Sequence, residues 1–152
     1  MKEECVVKIV EENKDDFMEL LLLADEQEDM VRRYLDRGTL FALYDGELVS
    51  ICVVTEEGEG EYEIQNLATR EEYQRKGYGR ALIHHVLEHY KGPGRIMWVG
   101  TGDSPMTVPF YECCGFVYSH RLANYIVEHY DHPIFENGVQ LTDKVYFKKA
   151  LS

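Results

Sequence analysis

The sequence predicts an α/β (α+β) fold in which a mixed, twisted sheet is flanked by helices. Strand-like and helix-like segments follow one another in the order β-α-α-β-β-β-α-β-α-β-β, and such alternation is typical of a sheet with helices packed on its faces. The pair Asp45-Gly46 separates two β-rich runs, which is a strong hairpin signal. The 152 residues, of which 45% are hydrophobic, suffice for a substantial core. We therefore expect a single domain spanning residues 1–152.

The first part of the chain predicts two helices framed by strands. Asn13 or Asp15 is placed to cap the first helix, whose apolar residues recur at helical spacing, and Gly38 ends the second. A polar turn over 56–60 follows the hairpin and leads to the next strand. In chain order, we expect a strand over 6–10, helices over 17–24 and 28–35, and strands over 39–44, 47–55 and 61–69.

The second part predicts two further helices and a series of strands. A glycine-proline-glycine run at 92–94 stops the first of these helices, and Gly115 ends the other. We expect helices over 79–90 and 105–114, and strands over 95–100, from 116 to 118, over 125–127 and over 145–148, the last two around a turn-rich segment at 129–138.

A glycine turn with three basic residues joins the strand that ends at 69 to the helix that starts at 79. Its residues are Gln74, Arg75, Lys76, Gly77, Tyr78, Gly79 and Arg80. The glycines allow positive φ and close approach of a ligand to the backbone, and a helix start supplies unpaired N–H groups and partial positive charge. The basic residues add cations to a chain whose net charge is −12. The turn therefore predicts a polyanion site, distinct from a P-loop and from a dinucleotide fingerprint.

The overall composition excludes several partners. Asp and Glu outnumber Lys and Arg by 28 to 16, whereas binding to nucleic acid needs a basic face. No run approaches the roughly 18 apolar residues of a membrane helix, and residues 1–4 lack the order of a secretory signal, so we expect a cytoplasmic protein without a membrane partner. The cysteines lack CxxC spacing and the histidines lack a metal motif, so no metal site is expected.

With the strand before it and the helix after it, the segment 74–79 resembles the acetyl-CoA signature of the GNAT N-acetyltransferase family, Gln/Arg-x-x-Gly-x-Gly/Ala. The resemblance covers roughly the whole chain and is strongest over 61–116, and the segments 100–104 and 130–138 are similar to a bacterial subgroup of the family. It implies the GNAT fold, with acetyl-CoA as co-substrate and its pyrophosphate held at the start of the central helix.

The predicted strand before the turn resembles the family's central strand, which splays from its neighbour and offers backbone groups to the pantetheine arm. The resemblance assigns this role to Leu67, Ala68 and Thr69. Glu63 matches the position at which several members carry a glutamate that deprotonates the acceptor amine, usually through water. Such a base is needed because only a neutral amine attacks a thioester. The alternative for Glu63 is a solvated or salt-bridged strand residue.

The segment from Tyr111 to Phe116 resembles the family's second landmark, Tyr-x-x-x-Gly-Phe. The resemblance makes the Tyr111 hydroxyl the acid that protonates the departing thiolate, and a tyrosine with an ordinary pKa of about 10 is able to donate at neutral pH. The alternative is a core aromatic. Many relatives have an asparagine seven residues earlier that bonds the pantetheine. Here the residue is Ser104, whose shorter side chain predicts a lost or water-mediated contact.

The leading hypothesis is an acetyl-CoA-dependent N-acetyltransferase that acts on a primary amine by direct transfer in a ternary complex. The amine is expected to be small, and a cationic acceptor is easier to reconcile with the acidic composition. Two alternatives stay open: transfer to a peptide or protein N-terminus or lysine, and a non-catalytic acyl-CoA sensor that kept the fold. The partner is thus a small amine or a peptide, and family members often form homodimers through their C-terminal strands.

Overall fold

The computed structural model describes residues 5–152. The strands are β1 (Val6–Val10), β2 (Thr39–Asp45), β3 (Glu47–Gly58), β4 (Glu61–Thr69), β5 (Ile96–Gly102), β6 (Val117–Leu122), β7 (Ile134–Glu136), β8 (Val139–Leu141) and β9 (Lys144–Ala150). The α-helices are α1 (Met18–Ala24), α2 (Glu28–Leu35), α3 (Tyr78–Tyr90), α4 (Thr107–Cys113) and α5 (Tyr125–His129). Short 3₁₀ turns at Lys14–Phe17 and Glu71–Tyr73 precede α1 and α3.

Seven strands form one sheet in the order β1-β2-β3-β4-β5-β9-β6, and β7 and β8 form a separate hairpin. The pairs of the large sheet are antiparallel except β4 with β5, which run parallel with α3 as the crossover. The predicted mixed sheet flanked by helices is therefore confirmed.

Both faces of the sheet are covered, and β2 shows why. Its side chains alternate between two hydrophobic clusters: Phe41 and Leu43 pack in the cluster with α3 and α4, whereas Leu40 and Ala42 pack in the cluster with α1 and α2. All four are buried. Because successive residues of a strand point to opposite faces, a strand covered on both sides reads as a continuous apolar run, as 40–43 does.

The parallel strands β4 and β5 separate at their C-terminal ends. They pair only from Glu61–Ile64 and Ile96–Val99. Beyond this point β4 continues beside β3 as far as Thr69, while β5 continues beside β9 as far as Gly102. The side of β4 that faces β5 therefore has no strand partner over its last residues, and an opening forms between the two strands.

A β-bulge lies at the point where β4 and β5 separate. Gln65 is the extra residue, because the pair Val54–Ile64 is followed by the pair Val53–Asn66. The bulge changes which face the strand presents. Ile64 packs in the cluster with α3, whereas Ala68 packs in the cluster with α1 and α2. Bulges are frequent beside active sites because they re-aim side chains.

Three local predictions need correction. Residues 125–127 were expected to be a strand but form α5, which starts after Asn124 in the left-handed region (φ 59°) and buries Ile126 against the β7–β8 hairpin. That hairpin was expected to be only a turn. Strand β3 extends to Gly58 instead of 55, because its pairing with β4 continues to Glu61.

The start of the first helix also differs from expectation. Asn13 precedes a 3₁₀ turn, and its side chain makes no capping hydrogen bond. None of the helices within 5–152 has the length and apolar character needed to cross a bilayer. The cytoplasmic location stays a prediction.

Candidate active site

The glycine turn leads directly into α3, one residue earlier than the sequence indicated. Gly77 is the N-cap residue and has a φ of 89°, and Arg75 is also left-handed with a φ of 64°. No side chain caps the helix, so its first N–H groups are available to a ligand. A Cβ built on Gly77 would have no atom within 4 Å. The left-handed backbone conformation therefore favours glycine at position 77, and the space over the helix start is open.

Three cations surround this helix start. Arg75, Lys76 and Arg80 are exposed, and none of them forms an ion pair within 4.0 Å with a described residue (5–152). Lys76 lies over the Tyr73 ring at 5.8 Å. Free cations and unpaired amides together provide the electrostatics that a pyrophosphate needs.

Two tyrosines tie the turn to the tip of the β2–β3 hairpin. The Tyr73 hydroxyl donates to Glu47 Oε2 at 2.6 Å, and the Tyr78 hydroxyl donates to Asp45 Oδ2. The second hydrogen bond raises the pKa of Tyr78 to about 12, because ionisation would place a phenolate beside a carboxylate. The two rings meet edge to face at 5.7 Å. We call these four residues the tyrosine clamp. It holds the turn from both ends.

The free edge of β4 lies beside the turn. Gln74 Nε2 donates to the Thr69 carbonyl at 3.0 Å, and a Cβ on Gly79 would lie 3.5 Å from Thr69 Oγ1. Leu67 and Ala68 precede Thr69 on this edge, and all three line a cavity of about 710 Å³. The structure thus brings the predicted pantetheine edge and the start of α3 together.

Tyr111 reaches the same cavity from α4. The helix ends in a Schellman motif: Gly115 has a φ of 93°, its N–H donates to Glu112 O at 3.0 Å, and the Phe116 N–H donates to Tyr111 O at 3.1 Å. The accompanying apolar contact is the Tyr111–Phe116 ring pair at 5.8 Å. The Tyr-x-x-x-Gly-Phe pattern is therefore a helix end that orients Tyr111.

The Tyr111 side chain is buried, with 6% of its surface exposed. Its hydroxyl makes no hydrogen bond within residues 5–152, although the residue lines the cavity. Burial raises the pKa of Tyr111, because a phenolate would lose its hydration there. The hydroxyl is therefore protonated at neutral pH and free to donate to a ligand.

Glu63 lines the same cavity from β4. It is half-buried and has no hydrogen-bond or ion-pair partner in the described part of the chain. Burial raises its pKa, while the nearby charges of Lys144 and Arg37 oppose the shift and Glu57 adds to it. A carboxylate with a raised pKa and no fixed partner is suited to accept a proton.

Ser104 lies outside the cavity wall and is buried. Its hydroxyl accepts the Met106 N–H at 3.1 Å, and its carbonyl accepts the Val108 N–H at 3.2 Å. The residue thus starts the turn that leads into α4. Its contact with pantetheine stays a prediction.

Sequence reasoning missed a buried polar network at the end of the cavity formed by α1, α2 and α5. The Tyr34 hydroxyl donates to Asp25 Oδ2 at 2.8 Å, and the Tyr130 hydroxyl donates to Asp25 Oδ1 at 2.6 Å. Asn66 Nδ2 donates to the Tyr34 hydroxyl at 3.0 Å, and Asn66 Oδ1 is buried without a partner. Burial raises the pKa of Asp25 despite the two tyrosine donors. No local sequence signal marks these residues, because they meet only in the tertiary structure.

Lys144 is a second residue that the sequence did not single out. It begins β9 and lines the cavity. Its ammonium lies 4.8 Å from the centre of the Tyr125 ring and 5.1 Å from that of the Tyr146 ring. Its charge lowers the pKa of Glu63, as noted above, and that of Asp25.

Within residues 5–152, no group of three or more His, Cys, Asp or Glu side chains is placed to hold a metal ion. The four cysteines are free thiols. Cys52 is fully buried and Cys113 is exposed.

Comparison with known proteins identifies the family of this chain. Residues 6–116 match the Acetyltransferase (GNAT) family. The uncharacterized N-acetyltransferase YvbK of Bacillus subtilis (strain 168) is 36% identical over 142 residues, covering 91% of this chain and 92% of that protein. A Bacillus subtilis acetyltransferase solved in complex with CoA is 35% identical, with a TM-score of 0.86 over 95% of this chain and 97% of that chain. A GNAT family acetyltransferase from Elizabethkingia anophelis with acetyl-CoA bound is 27% identical, with a TM-score of 0.90 over 98% of this chain and 99% of that chain.

The chain therefore belongs to the GNAT acetyltransferase family. It is an acetyl-CoA-dependent acetyltransferase, and acetyl-CoA is its co-substrate. The described residues fit that molecule, because the open cradle over Gly77 and the free cations suit a pyrophosphate, and the unpaired edge of β4 suits a pantetheine amide.

Proposed function

We propose that this chain acts as one acetyltransferase domain that transfers the acetyl group of acetyl-CoA to a primary amine of a small, cationic molecule. The transfer is direct and takes place in a ternary complex. One observation carries the proposal: Glu63, Tyr111 and the free edge Leu67–Thr69 line a single cavity. A base, an acid and a place for the thioester are thus available together.

The coenzyme A portion is held by residues at the C-terminal end of β4, in the glycine turn and at the start of α3. The N–H groups of Gly77, Tyr78 and Gly79 face the pyrophosphate, and Gln74 supports the turn through its bond to Thr69. Arg75, Lys76 and Arg80 supply its counter-charge. The backbone of Leu67–Thr69 bonds the pantetheine. Ser104, which is buried outside the cavity wall, makes no direct contact with it.

Glu63 and Tyr111 move the protons. The acceptor arrives as an ammonium, and Glu63 removes a proton from it, directly or through water, so that the nitrogen lone pair attacks the thioester carbonyl. Tyr111 donates its hydroxyl proton to the departing thiolate. The raised pKa of Glu63 brings the basicity of its carboxylate closer to that of the amine. Holding both substrates in one cavity supplies a further large part of the rate.

The lining of the cavity supports a small, cationic acceptor. Its volume of about 710 Å³ falls within the roughly 300 to 1,000 Å³ that is usual for small-molecule sites. Carboxylates of Asp25 and Glu57 line it together with Glu63, and so do the rings of Tyr125 and Tyr146. Carboxylates and aromatic faces both stabilise an ammonium group.

The test compares Tyr111→Phe with Tyr62→Phe. Both tyrosines are buried in the same cluster and neither hydroxyl bonds a described residue, but Tyr62 does not line the cavity. We expect Tyr111→Phe to lower thiol release from acetyl-CoA about 100-fold with an amine acceptor, because loss of a general acid costs that much or more. CoA affinity, measured by calorimetry, should stay within about twofold because the cradle is intact. Tyr62→Phe should leave both quantities unchanged.

The acceptor panel separates the alternatives. Polyamines, aminoglycosides, amino acids and peptides are each tested for thiol release. Release with peptides alone would replace the small amine by a peptide or protein acceptor. Tight CoA binding without release on any acceptor would favour a sensor and overturn the proposed function.

The edge strand β6 supports the predicted homodimer. It ends the sheet beyond β9, so one of its edges has no strand partner in the part of the chain that the structure describes. Val117 and Tyr118 are 58% and 52% exposed there, and unpaired edges readily pair with another chain. We propose that two copies join through β6. Analytical ultracentrifugation should find a dimer for the wild type and a monomer for Val117→Lys, and a wild-type monomer would contradict the pairing.

A further inference from the structure

A lysine of this chain lies in the cavity where the acceptor amine is expected. Lys144 lines that cavity together with Glu63 and Tyr111. Its side chain passes over Gly100 on β5, because a Cβ built on Gly100 would overlap Lys144 Cε and the Tyr146 ring. A glycine at 100 therefore leaves room for a lysine chain to run along the cavity wall.

The surroundings of this ammonium resemble those proposed for an acceptor. It lies over the rings of Tyr125 and Tyr146, at 4.8 and 5.1 Å. It forms no ion pair within 4.0 Å among residues 5–152. Aromatic faces hold a cation without fixing its direction, so the long side chain is free to change rotamer. The nitrogen is thus a primary amine, inside the cavity, without a bond that must first be broken.

We propose that Lys144 is a site of self-acetylation, at which the chain transfers an acetyl group to its own Nζ. The inference rests on the proposed function, because the same base and acid act on an internal amine instead of a free one. A lysine carried by the chain pays no cost of bimolecular encounter.

The step balances as an ordinary transfer from the established co-substrate. Glu63 takes one proton from the Lys144 ammonium, and the free amine attacks the thioester carbonyl carbon. A C–N bond forms and the C–S bond breaks, and Tyr111 donates a proton to the thiolate. The second proton on nitrogen leaves as the amide forms and restores the Tyr111 hydroxyl, and Glu63 releases its proton to solvent. Lys144 ammonium and acetyl-CoA thus give N-acetyl-Lys144, coenzyme A and one proton in solvent.

Acetylation would change the charge of the acceptor site. The Lys144 ammonium is a cation close to Asp25, Glu57 and Glu63, and it lowers the pKa of each. The amide product is neutral, so the three carboxylates lose this counter-charge. A cationic acceptor would then meet a more negative cavity, whereas the modified side chain would no longer compete with it as an amine.

The experiment uses the full chain with trideuterated acetyl-CoA and no added acceptor, and maps labelled lysines by mass spectrometry. Lys148 is the matched control, since it lies on the same strand over the Trp98 ring at 5.6 Å but outside the cavity. We expect Lys144 to be labelled at least about tenfold faster than Lys148, with a first-order rate that does not depend on protein concentration. Unlabelled acetyl groups present on Lys144 at the start are counted as the same product. Glu63→Gln should slow labelling at Lys144 and leave Lys148 unchanged.

Equal labelling of the two lysines, or a rate at Lys144 that rises with protein concentration, would overturn the inference. Thiol release by the wild type with the amine panel measures the proposed function separately. Release with an external amine and no label at Lys144 would therefore remove the self-acetylation alone. Absence of both would remove the proposed function as well.

Discussion

The protonation of Glu63 depends on the charges that face it. Burial raises its pKa, the ammonium of Lys144 and the guanidinium of Arg37 lower it, and Glu57 raises it further. Tyr146 faces the same group and is neutral at neutral pH, since its own pKa is raised to about 12, first by burial and then by the charge of Glu63. A base in this setting is active only when the pH lies above its raised pKa.

Replacing Lys144 by Met should shift the pH at which the enzyme becomes active. The substitution keeps a long side chain but removes the cation that favours ionised Glu63, so the pKa of Glu63 should rise further. The acidic limb of the kcat/KM profile, which reports the free enzyme, is expected to move to higher pH. Lys148→Met, outside the cavity, should leave the profile unchanged. An acidic limb at the same or a lower pH in Lys144→Met would mean that Glu63 is not the base.

At the scale of elements, the glycine turn before α3 is held by the separate β2–β3 hairpin. Asp45 and Glu47 lie at the tip of the β2–β3 hairpin, and each accepts a hydrogen bond from a tyrosine beside the turn. Arg70 adds a 3.0 Å contact to Glu47. The hairpin therefore fixes where α3 begins, although none of its side chains needs to touch the phosphates.

The double variant Tyr73→Phe with Tyr78→Phe tests this role of the tyrosine clamp. Both rings stay in place and both hydroxyls are lost, so the turn should become less ordered. We expect CoA affinity to fall about three- to tenfold by calorimetry, since bonds to charged groups are worth more than neutral ones but are weakened by solvent here. At saturating acetyl-CoA, kcat should stay near the wild-type value.

The control for the clamp is Tyr44→Phe. Tyr44 lies on β2 next to Asp45, and its hydroxyl bonds no residue in the described chain, whereas its ring lies under Lys8. The CoA affinity of the Tyr44→Phe variant should match that of the wild type. Equal affinities for the double variant and this control would show that the turn keeps its conformation without the hairpin.

The elements around the cavity were only partly predictable. The hairpin at Asp45-Gly46, the start of α3 and the end of α4 at Gly115 were predicted to within a few residues, because glycine conformation and helix ends depend on near neighbours. The prediction of a strand at 125–127 was wrong, because the segment forms helix α5 and buries Ile126 against Leu141 and Ile134. Tertiary packing of this kind overrides the local preference for a strand.

At the scale of the molecule, an acidic protein binds an anionic co-substrate. The net charge is −12, so the cations of the glycine turn act against a repulsive background that salt screens. Local attraction over a few ångströms and repulsion over longer distances respond differently to ionic strength, which gives a test of where the pyrophosphate binds.

Charge reversal by Arg75→Glu with Lys76→Glu should weaken CoA binding at least about tenfold at low salt, through loss of attraction and added repulsion. Wild-type affinity should fall as salt is added, whereas affinity of the variant should rise, because salt then screens a net repulsion. The CoA affinities of the wild type and the double variant are measured by calorimetry from low to high ionic strength.

The matched control is Lys91→Glu with Lys148→Glu, which changes the net charge by the same amount. Lys91 follows the far end of α3, and this helix of 13 residues spans about 20 Å at 1.5 Å per residue. The control should keep nearly wild-type affinity and its fall with salt. If both double variants lose affinity equally, the total charge and not the turn controls binding.

The sequence by itself determined the family, the order of most elements, the glycine turn before α3 and the Tyr111 helix end, because each depends on residues a few positions apart. Only the tertiary structure decided which residues line the cavity. Tyr130 bonds Asp25 across 105 positions of the chain, and Asn66 bonds Tyr34 across 32. The position of the Lys144 side chain over Gly100 likewise depends on the pairing of β5 with β9. Such contacts follow from strand register and layer packing, which no local pattern of residues encodes.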